Sequence, residues 1–125
     1  MATSSEVLEI GPVAQCINYT AYLGDTLIQE LEYTEEDGVT PVPMSGYTAR
    51  LQVKDTASDS VFHVELTQAS GIALADTLPN ISFEIPLISP FIVGRFVYDL
   101  EVIDGSGIVT TLITGSIKVL QDVTR

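Results

Sequence analysis

The sequence predicts an all-β fold, an antiparallel sandwich or barrel of about seven to eight short strands. Apolar and polar residues alternate with a period of two in several runs, which is the pattern of half-buried strands. Turn residues such as Asp37-Gly38, Pro79-Asn80 and Asp104-Gly105 separate these runs at intervals of about ten residues. No run has the composition of a three-turn helix, because Val, Ile and Thr dominate the apolar segments.

The clearest predicted strand covers residues 47–54, in which every second residue is apolar. Its inward residues are expected to be Tyr47, Ala49, Leu51 and Val53. The same alternation predicts three further strands with inward residues Phe62, Val64 and Leu66, then Ile81, Phe83 and Ile85, then Phe96, Tyr98, Leu100 and Val102. Residues 16–23 and 25–33 are less regular but have strand composition.

The strongest predicted hairpin joins residues 96–103 to the final apolar run, 108–120, through an Asp-Gly-Ser-Gly turn. The final run is apolar on both predicted faces. One face would carry Val109, Ile113, Ile117 and Val119, and the other Ile108, Leu112 and Leu120. Because a sandwich buries only one face of each sheet, we expect another chain to cover the second apolar face.

A loop-like stretch, residues 86–93, carries a second surplus of apolar residues, among them Leu87, Ile88 and Phe91. Two interpretations are open: the stretch plugs the end of the sandwich, or it contacts a partner.

The N-terminal arm, residues 1–12, alternates weakly at Val7, Leu8 and Ile10. Such a segment would add a strand either to a neighbouring chain or to an edge of its own sheet.

Composition and charge exclude several classes of function. The 125 residues are 46% hydrophobic and 18% charged, which is enough to bury a core and argues against disorder. A net charge of −12 repels nucleic-acid backbones and anionic lipid surfaces. No apolar stretch approaches the roughly 20 residues of a membrane span, and residues 1–10 lack the basic start of an export signal. We therefore expect no nucleic-acid partner and no membrane association, and synthesis in a reducing cytoplasm that suits the single cysteine.

The sequence offers few residues for catalysis or for binding a metal or cofactor. The single histidine, His63, has the parity opposite to Val64 and is expected to face solvent. One His and one Cys cannot assemble a four-ligand zinc site within one chain. Cys16 lies in a strand-like run and is expected to be a small buried residue rather than a nucleophile. We therefore predict a non-enzymatic protein without catalytic residues, metal or cofactor.

The one concentration of charge is an acidic cluster formed by Glu30, Glu32, Glu35, Glu36 and Asp37. Carboxylates suit hard cations, but the spacing of Asp, Asn, Gly and closing Glu that calcium loops use is absent. A solvated strand end and loop is therefore favoured over a calcium site.

Three stretches, taken in order along the chain, together form one pattern: a strand, a glycine-led strand, an acidic glycine turn and a long last strand. They are SGYTARLQV at 45–53, GRFVYDLEV at 94–102, and GIVTTLITGSIKV at 107–119, closed by DVTR at 122–125. Over about residues 24–125 the chain thereby resembles the small immunoglobulin-like virion proteins of tailed bacteriophages. Phe96 stands where that group often has tyrosine, so the hydroxyl bond of a tyrosine corner is not expected. Gly115, inside the last strand, predicts a bulge or a close backbone approach.

The resemblance implies an immunoglobulin-like sandwich at 24–125, preceded at 1–23 by an arm and first strand that is available to a partner. It further implies a structural protein of the virion, present in several copies and bound to other virion proteins in the tail, baseplate or fibre-attachment region. A capsid cement protein is the alternative within this class. The residues expected to contact partners are Val7, Leu8, Ile10, Leu87, Ile88, Phe91, Ile108, Leu112 and Leu120.

Two alternatives come from other classes of function. A receptor- or carbohydrate-binding module would gather Tyr19, Tyr22 and Tyr33 on one exposed loop end, although the absence of Trp weakens sugar stacking. A hydrolase would need a cleft that holds carboxylates of perturbed pKa.

Overall fold

The computed structural model describes residues 7–11, 13–56, 64–88 and 91–123, and these ranges contain ten β-strands. The strands are β1 (Val7–Ile10), β2 (Gln15–Cys16), β3 (Tyr19–Tyr22), β4 (Thr26–Tyr33), β5 (Thr48–Lys54), β6 (Val64–Thr67), β7 (Ile72–Leu74), β8 (Ile81–Pro86), β9 (Gly94–Ile103) and β10 (Val109–Leu120). Within the same ranges no helix could cross a membrane.

The strands form two sheets that share one buried core. The first sheet has the order β1, β4, β8, β7; the second has β10, β9, β5, β6, with β2 and β3 both paired to the outer edge of β10. Taken in chain order, these neighbours match the A-B-E-D sheet and the G-F-C sheet, with an added C′ strand, of an immunoglobulin sandwich. The predicted all-β class and immunoglobulin-like arrangement are confirmed. The count exceeds the prediction because the N-terminal segment contributes three short strands.

The N-terminal strands differ from the prediction of a purely antiparallel sandwich. β1 runs parallel to β4, and β2 and β3 run parallel to β10. The reason is geometric. The chain crosses the sandwich in β1, returns in the other sheet in β2 and β3, and crosses again in β4. β1 and β4 therefore run in the same direction and lie side by side in the first sheet, so β1 adds to an edge of its own sheet.

Burial within the central strands follows the predicted alternation. Leu51, Phe83 and Leu100 are completely buried. Their neighbours on the same strand faces are also buried or almost completely buried: Ala49, Val53, Ile81, Ile85, Phe96, Tyr98 and Val102. Tyr47 lies just before β5 and is half-buried. Two residues of the predicted alternation, Phe62 and His63, lie outside the described residues. The predicted hairpin is also confirmed, since Asp104 accepts hydrogen bonds from the main-chain nitrogens of Ser106 (2.8 Å) and Ile108 (3.0 Å).

The predicted faces of the last strand are wrong in its first half. The register of β10 against β9 shifts between Thr111 and Ile113, so Leu112 is an extra residue in a β-bulge. As a result Leu112 and Ile113 are both completely buried, whereas Val109 is exposed. A strict period of two cannot anticipate this shift, because one extra residue exchanges the two faces beyond it.

Gly115 shows the predicted close backbone approach. A Cβ atom at this position would lie 2.0 Å from the main-chain oxygen of Ile17, in the link between β2 and β3. The bulge, the other predicted option, occurs nearby at Leu112 instead.

Candidate functional site

The two ends of the sandwich carry different connections. What we call the lower end holds the β3–β4 and β8–β9 connections and residues 121–123, and the upper end holds the β4–β5 and β9–β10 loops. The strand registers fix this assignment, since Thr26 lies opposite Pro86 and Gly94 lies opposite Val119.

The β8–β9 connection at the lower end both plugs the core and faces solvent. Leu87 and Phe91 point inward and are buried, and the Phe91 ring meets Phe96 edge to face with centroids 5.2 Å apart. Between and beyond them, Ile88 and Ile92 are 56% and 65% exposed. The two interpretations of this segment therefore apply to different residues. Leu87 and Phe91, expected to contact a partner, are core residues of this chain.

Three other apolar side chains complete an exposed surface at this end. Val93 follows Ile92, Tyr22 ends β3, and Val123 is 96% exposed after β10. We call Tyr22, Ile88, Ile92, Val93 and Val123 the apolar end.

The framework under the apolar end is held by main-chain hydrogen bonds. The Gly24 nitrogen donates to the Leu87 oxygen (2.7 Å), and the Leu87 nitrogen donates to the Asp25 oxygen (2.8 Å). The Leu23 nitrogen donates to the Leu120 oxygen (2.9 Å), which ties β3 to the end of β10. These bonds hold together the main chain next to Tyr22 and Ile88.

The other residues expected to contact partners are dispersed. In β1, Ile10 is buried in the chain's own core, Leu8 is half-buried, and Val7 is exposed on the outer face of the first sheet. In the last strand and the turn before it, Leu112 is buried, Leu120 is half-buried at the lower end, and Ile108 is 62% exposed at the upper end. Ile108, Leu112 and Leu120 therefore do not form the single exposed face that their parity predicts.

The tyrosines do not gather on an exposed loop end. Tyr33 is buried near the upper end, Tyr22 is exposed at the lower end, and Tyr19 lies between them. The Tyr19 hydroxyl donates to Oε1 of the completely buried Gln29 (2.7 Å), and its ring lies 5.8 Å from that of Tyr98. Burial raises the pKa of Tyr19 to about 12. These contacts give Tyr19 a structural position, and the arrangement that a ligand-binding module requires of these three tyrosines is not present.

The acidic cluster stabilises a loop. The Asp37 carboxylate accepts hydrogen bonds from the main-chain nitrogens of Val39 and Thr40 (both 2.9 Å) and from the Thr40 hydroxyl. The Thr40 hydroxyl bond first, and then the main-chain bonds, hold the pKa of Asp37 below its ordinary value. Among the described residues, no group of three His, Cys, Asp or Glu side chains could hold a metal ion.

Cys16 is exposed, which corrects its predicted burial. It ends the two-residue strand β2 at a sheet edge, where the side chain points away from the core.

Shallow cavities on the described surface are small. One, of about 90 Å³, is lined by residues of β5, β9 and β10, including Lys54, Asp99 and Thr114. Partial burial, followed by the Glu101 carboxylate, raises the pKa of Asp99, and Lys54 and Arg50 oppose this shift. The second, of about 240 Å³, lies along β7 and β8. Both are smaller than the roughly 300 Å³ at which small-molecule sites begin.

Sequence reasoning missed several residues that shape the two ends. Ile92 and Val93 belong to the same apolar run as Ile88, and their exposure could be expected once Leu87 and Phe91 fill the core. The turn pattern at Pro79-Asn80 did not show that the Asn80 amide is buried, where it donates to the main-chain oxygens of Tyr33 and Val42 (both 2.9 Å). These bonds fix the β4–β5 loop against the upper end.

Comparisons with known proteins do not assign the chain to a family. No protein-family model matches it, and no curated protein matches it. Among solved structures, murine CRIg aligns with 86% of this chain and 92% of its own length, at a TM-score of 0.37 and 12% sequence identity. The fold assignment accordingly rests on the strand order and pairing described above.

Proposed function

We propose that this protein is a non-enzymatic structural component of a tailed-phage virion that binds other virion proteins in the tail, baseplate or fibre-attachment region. The observation that carries the proposal is the apolar end, where five large apolar side chains are exposed at the same end of the sandwich. Apolar surface of this kind contributes about 25 cal/mol per Å² when a partner removes it from water. The resemblance of residues 24–125 to small immunoglobulin-like virion proteins supplies the kind of particle.

Two exposed side chains of the apolar end, Ile88 and Ile92, directly follow core residues. Leu87 and Phe91 are buried, so the positions next to them lose little freedom when a partner docks. The net charge of −12 opposes indiscriminate contact between unassembled copies.

The test is incorporation into particles. Purified virions of the phage that encodes the chain should contain it by mass spectrometry, and crosslinking should join residues near Ile88 and Ile92 to a protein of the tail, baseplate or fibre region, a second copy of this chain included. Ile92→Asp should abolish incorporation, because it places a charge in a surface that must lose water. Val13→Asp is the matched control, since Val13 is similarly exposed but lies outside the apolar end, and incorporation should persist.

Absence of the chain from purified particles would overturn the proposal. Crosslinks to capsid protein alone would also overturn the tail assignment, in favour of a capsid cement protein. Equal incorporation of Ile92→Asp and Val13→Asp would remove the role of the apolar end.

A further inference from the structure

Charge is distributed unevenly between the two ends of the sandwich. Lys54, Arg95 and Lys118 all lie in the lower halves of their strands, on the outer face of the second sheet. Arg95 and Lys118 are exposed, lie directly opposite each other across β9 and β10, and form no ion pair with another described residue. Asp25, Glu84, Asp55 and Asp122 lie toward the same end, so the described charges there nearly balance in a chain of net charge −12. Because like charges directly opposite each other destabilise a sheet, carboxylates from outside would stabilise this pair.

The upper end carries a surface of complementary character in the β4–β5 loop. Glu35 and Glu36 are exposed there, no Lys or Arg occurs between residues 34 and 47, and Val39 is 74% exposed. The Glu35 nitrogen donates to the Thr40 oxygen (2.9 Å), and the hydrogen bonds to Asp37 close the loop from within. The loop thus presents one apolar side chain beside carboxylates in a fixed shape.

We infer that the apolar end binds the β4–β5 loop of a second copy of this chain, so that copies join head to tail. Val39 of one copy packs on the apolar end of the next, and Glu35 and Glu36 pair with Arg95 and Lys118. The two surfaces lie at opposite ends of one sandwich, so they meet only between copies. Such a contact is heterologous, and it generates a ring or an open stack according to the rotation between copies. The inference deepens the proposed function, because it names the occupant of the apolar end.

A charge-swap experiment on the purified full chain tests the inference. Sedimentation velocity of the unaltered chain over a concentration series should show association that weakens from about 50 mM to about 500 mM salt. Arg95→Glu with Lys118→Glu should weaken association by about tenfold or more, and so should Glu35→Lys with Glu36→Lys. A mixture of the two variants should associate again, since the basic loop of one fits the acidic lower end of the other.

Controls separate the docking contact from general charge and from folding. Glu30→Lys with Glu84→Lys makes the same change in net charge as Glu35→Lys with Glu36→Lys, but on the outer face of the first sheet, and it should leave the heterologous contact intact. Thermal melting should show that every variant is folded, because all the substituted side chains are exposed.

Three results would overturn the inference: a chain that stays monomeric at low salt, charge variants that associate like the unaltered chain, or a mixture that fails to associate. None of these results touches the proposed function, which is decided by incorporation into virions, by the crosslinks and by the Ile92→Asp comparison. If each charge variant associates weakly, their mixture associates again, and the chain is absent from virions, the head-to-tail contact is supported and the proposed function is wrong.

Discussion

The Tyr98 hydroxyl donates a 2.7 Å hydrogen bond to the main-chain oxygen of Ile17, a residue 81 positions earlier in the chain. The same oxygen lies against Gly115, and the Ile17 nitrogen donates to the Thr114 oxygen (2.9 Å). Asn18 extends the contact by accepting from the Ser116 nitrogen (2.9 Å). These hydrogen bonds therefore hold the link between β2 and β3 against the edge of the second sheet.

Gly115→Ala should destabilise the protein by about 2 to 3 kcal/mol. The new Cβ would stand 2.0 Å from a main-chain oxygen, so the Ile17 segment must shift and its hydrogen bonds lengthen. Urea unfolding measures the change. Gly105→Ala is the control, because its nearest atom lies 3.9 Å away, and an equal loss in both variants would contradict the close-contact explanation.

Ile113→Asp should destabilise the fold by about 4 kcal/mol or more, because it buries a charge without a partner. Ile113 is completely buried, whereas Ile108 is exposed, so Ile108→Asp should change stability little. Chemical denaturation of the two variants checks this difference. An unchanged unfolding midpoint for Ile113→Asp would contradict the burial of Ile113 in the core.

At high pH the fold should lose stability through its buried tyrosines. Burial raises the pKa of Tyr19 to about 12, and burial followed by the Tyr19 side chain raises the pKa of Tyr98 as well. The ordinary value is about 10, so this stability is complete below about pH 10 and is lost as the pH rises through the folded values. Tm should fall between about pH 9 and about pH 12.

The double variant Tyr19→Phe, Tyr98→Phe should be less stable at neutral pH because it lacks two hydrogen bonds, yet its Tm should fall less over the alkaline range. Tyr22→Phe changes an exposed side chain and serves as the control. Identical alkaline curves for the double variant and the unaltered chain would refute the linkage.

At low pH the upper end should weaken through Asp76. Its carboxylate accepts hydrogen bonds from the Ser45 hydroxyl (2.7 Å) and from the Ser45 and Met44 nitrogens (3.0 and 2.9 Å), and the Ser45 hydroxyl bond is the main cause of its lowered pKa. A lowered folded pKa contributes stability above the unfolded value of about 4, which is lost as the pH falls through the folded value.

Asp76→Asn should lower Tm at neutral pH and reduce the fall in Tm between about pH 5 and about pH 2. Glu36→Gln, which changes an exposed carboxylate of the same end, is the control. A fall as steep in Asp76→Asn as in the unaltered chain would show that other groups govern the acid transition.

The central strands could be predicted because each buries one face, so alternation in the sequence records the fold directly. Leu51, Phe83 and Leu100 all follow this rule. The turn at Asp104 and the close approach at Gly115 could be predicted for another reason, because the residue type itself restricts the backbone there.

The exceptions arise where tertiary contacts decide. Gln29 has the parity of a core residue but a polar side chain, and it is buried because the Tyr19 hydroxyl bonds it. The bulge at Leu112 breaks the alternation without a turn residue to mark it. In the β8–β9 connection no periodicity separates Leu87 from Ile88, so only the closed sandwich shows which one faces solvent.

The pairing of β2 and β3 with β10 also sets a condition on how the chain reaches its native state. Residues 15–22 are translated well before their partner strand, residues 109–120. The second sheet therefore closes only after residues 109–120 have been translated, and the high contact order predicts slow folding. Chains released before β10 has been translated would leave the edge of β9 open to pairing with other nascent polypeptides.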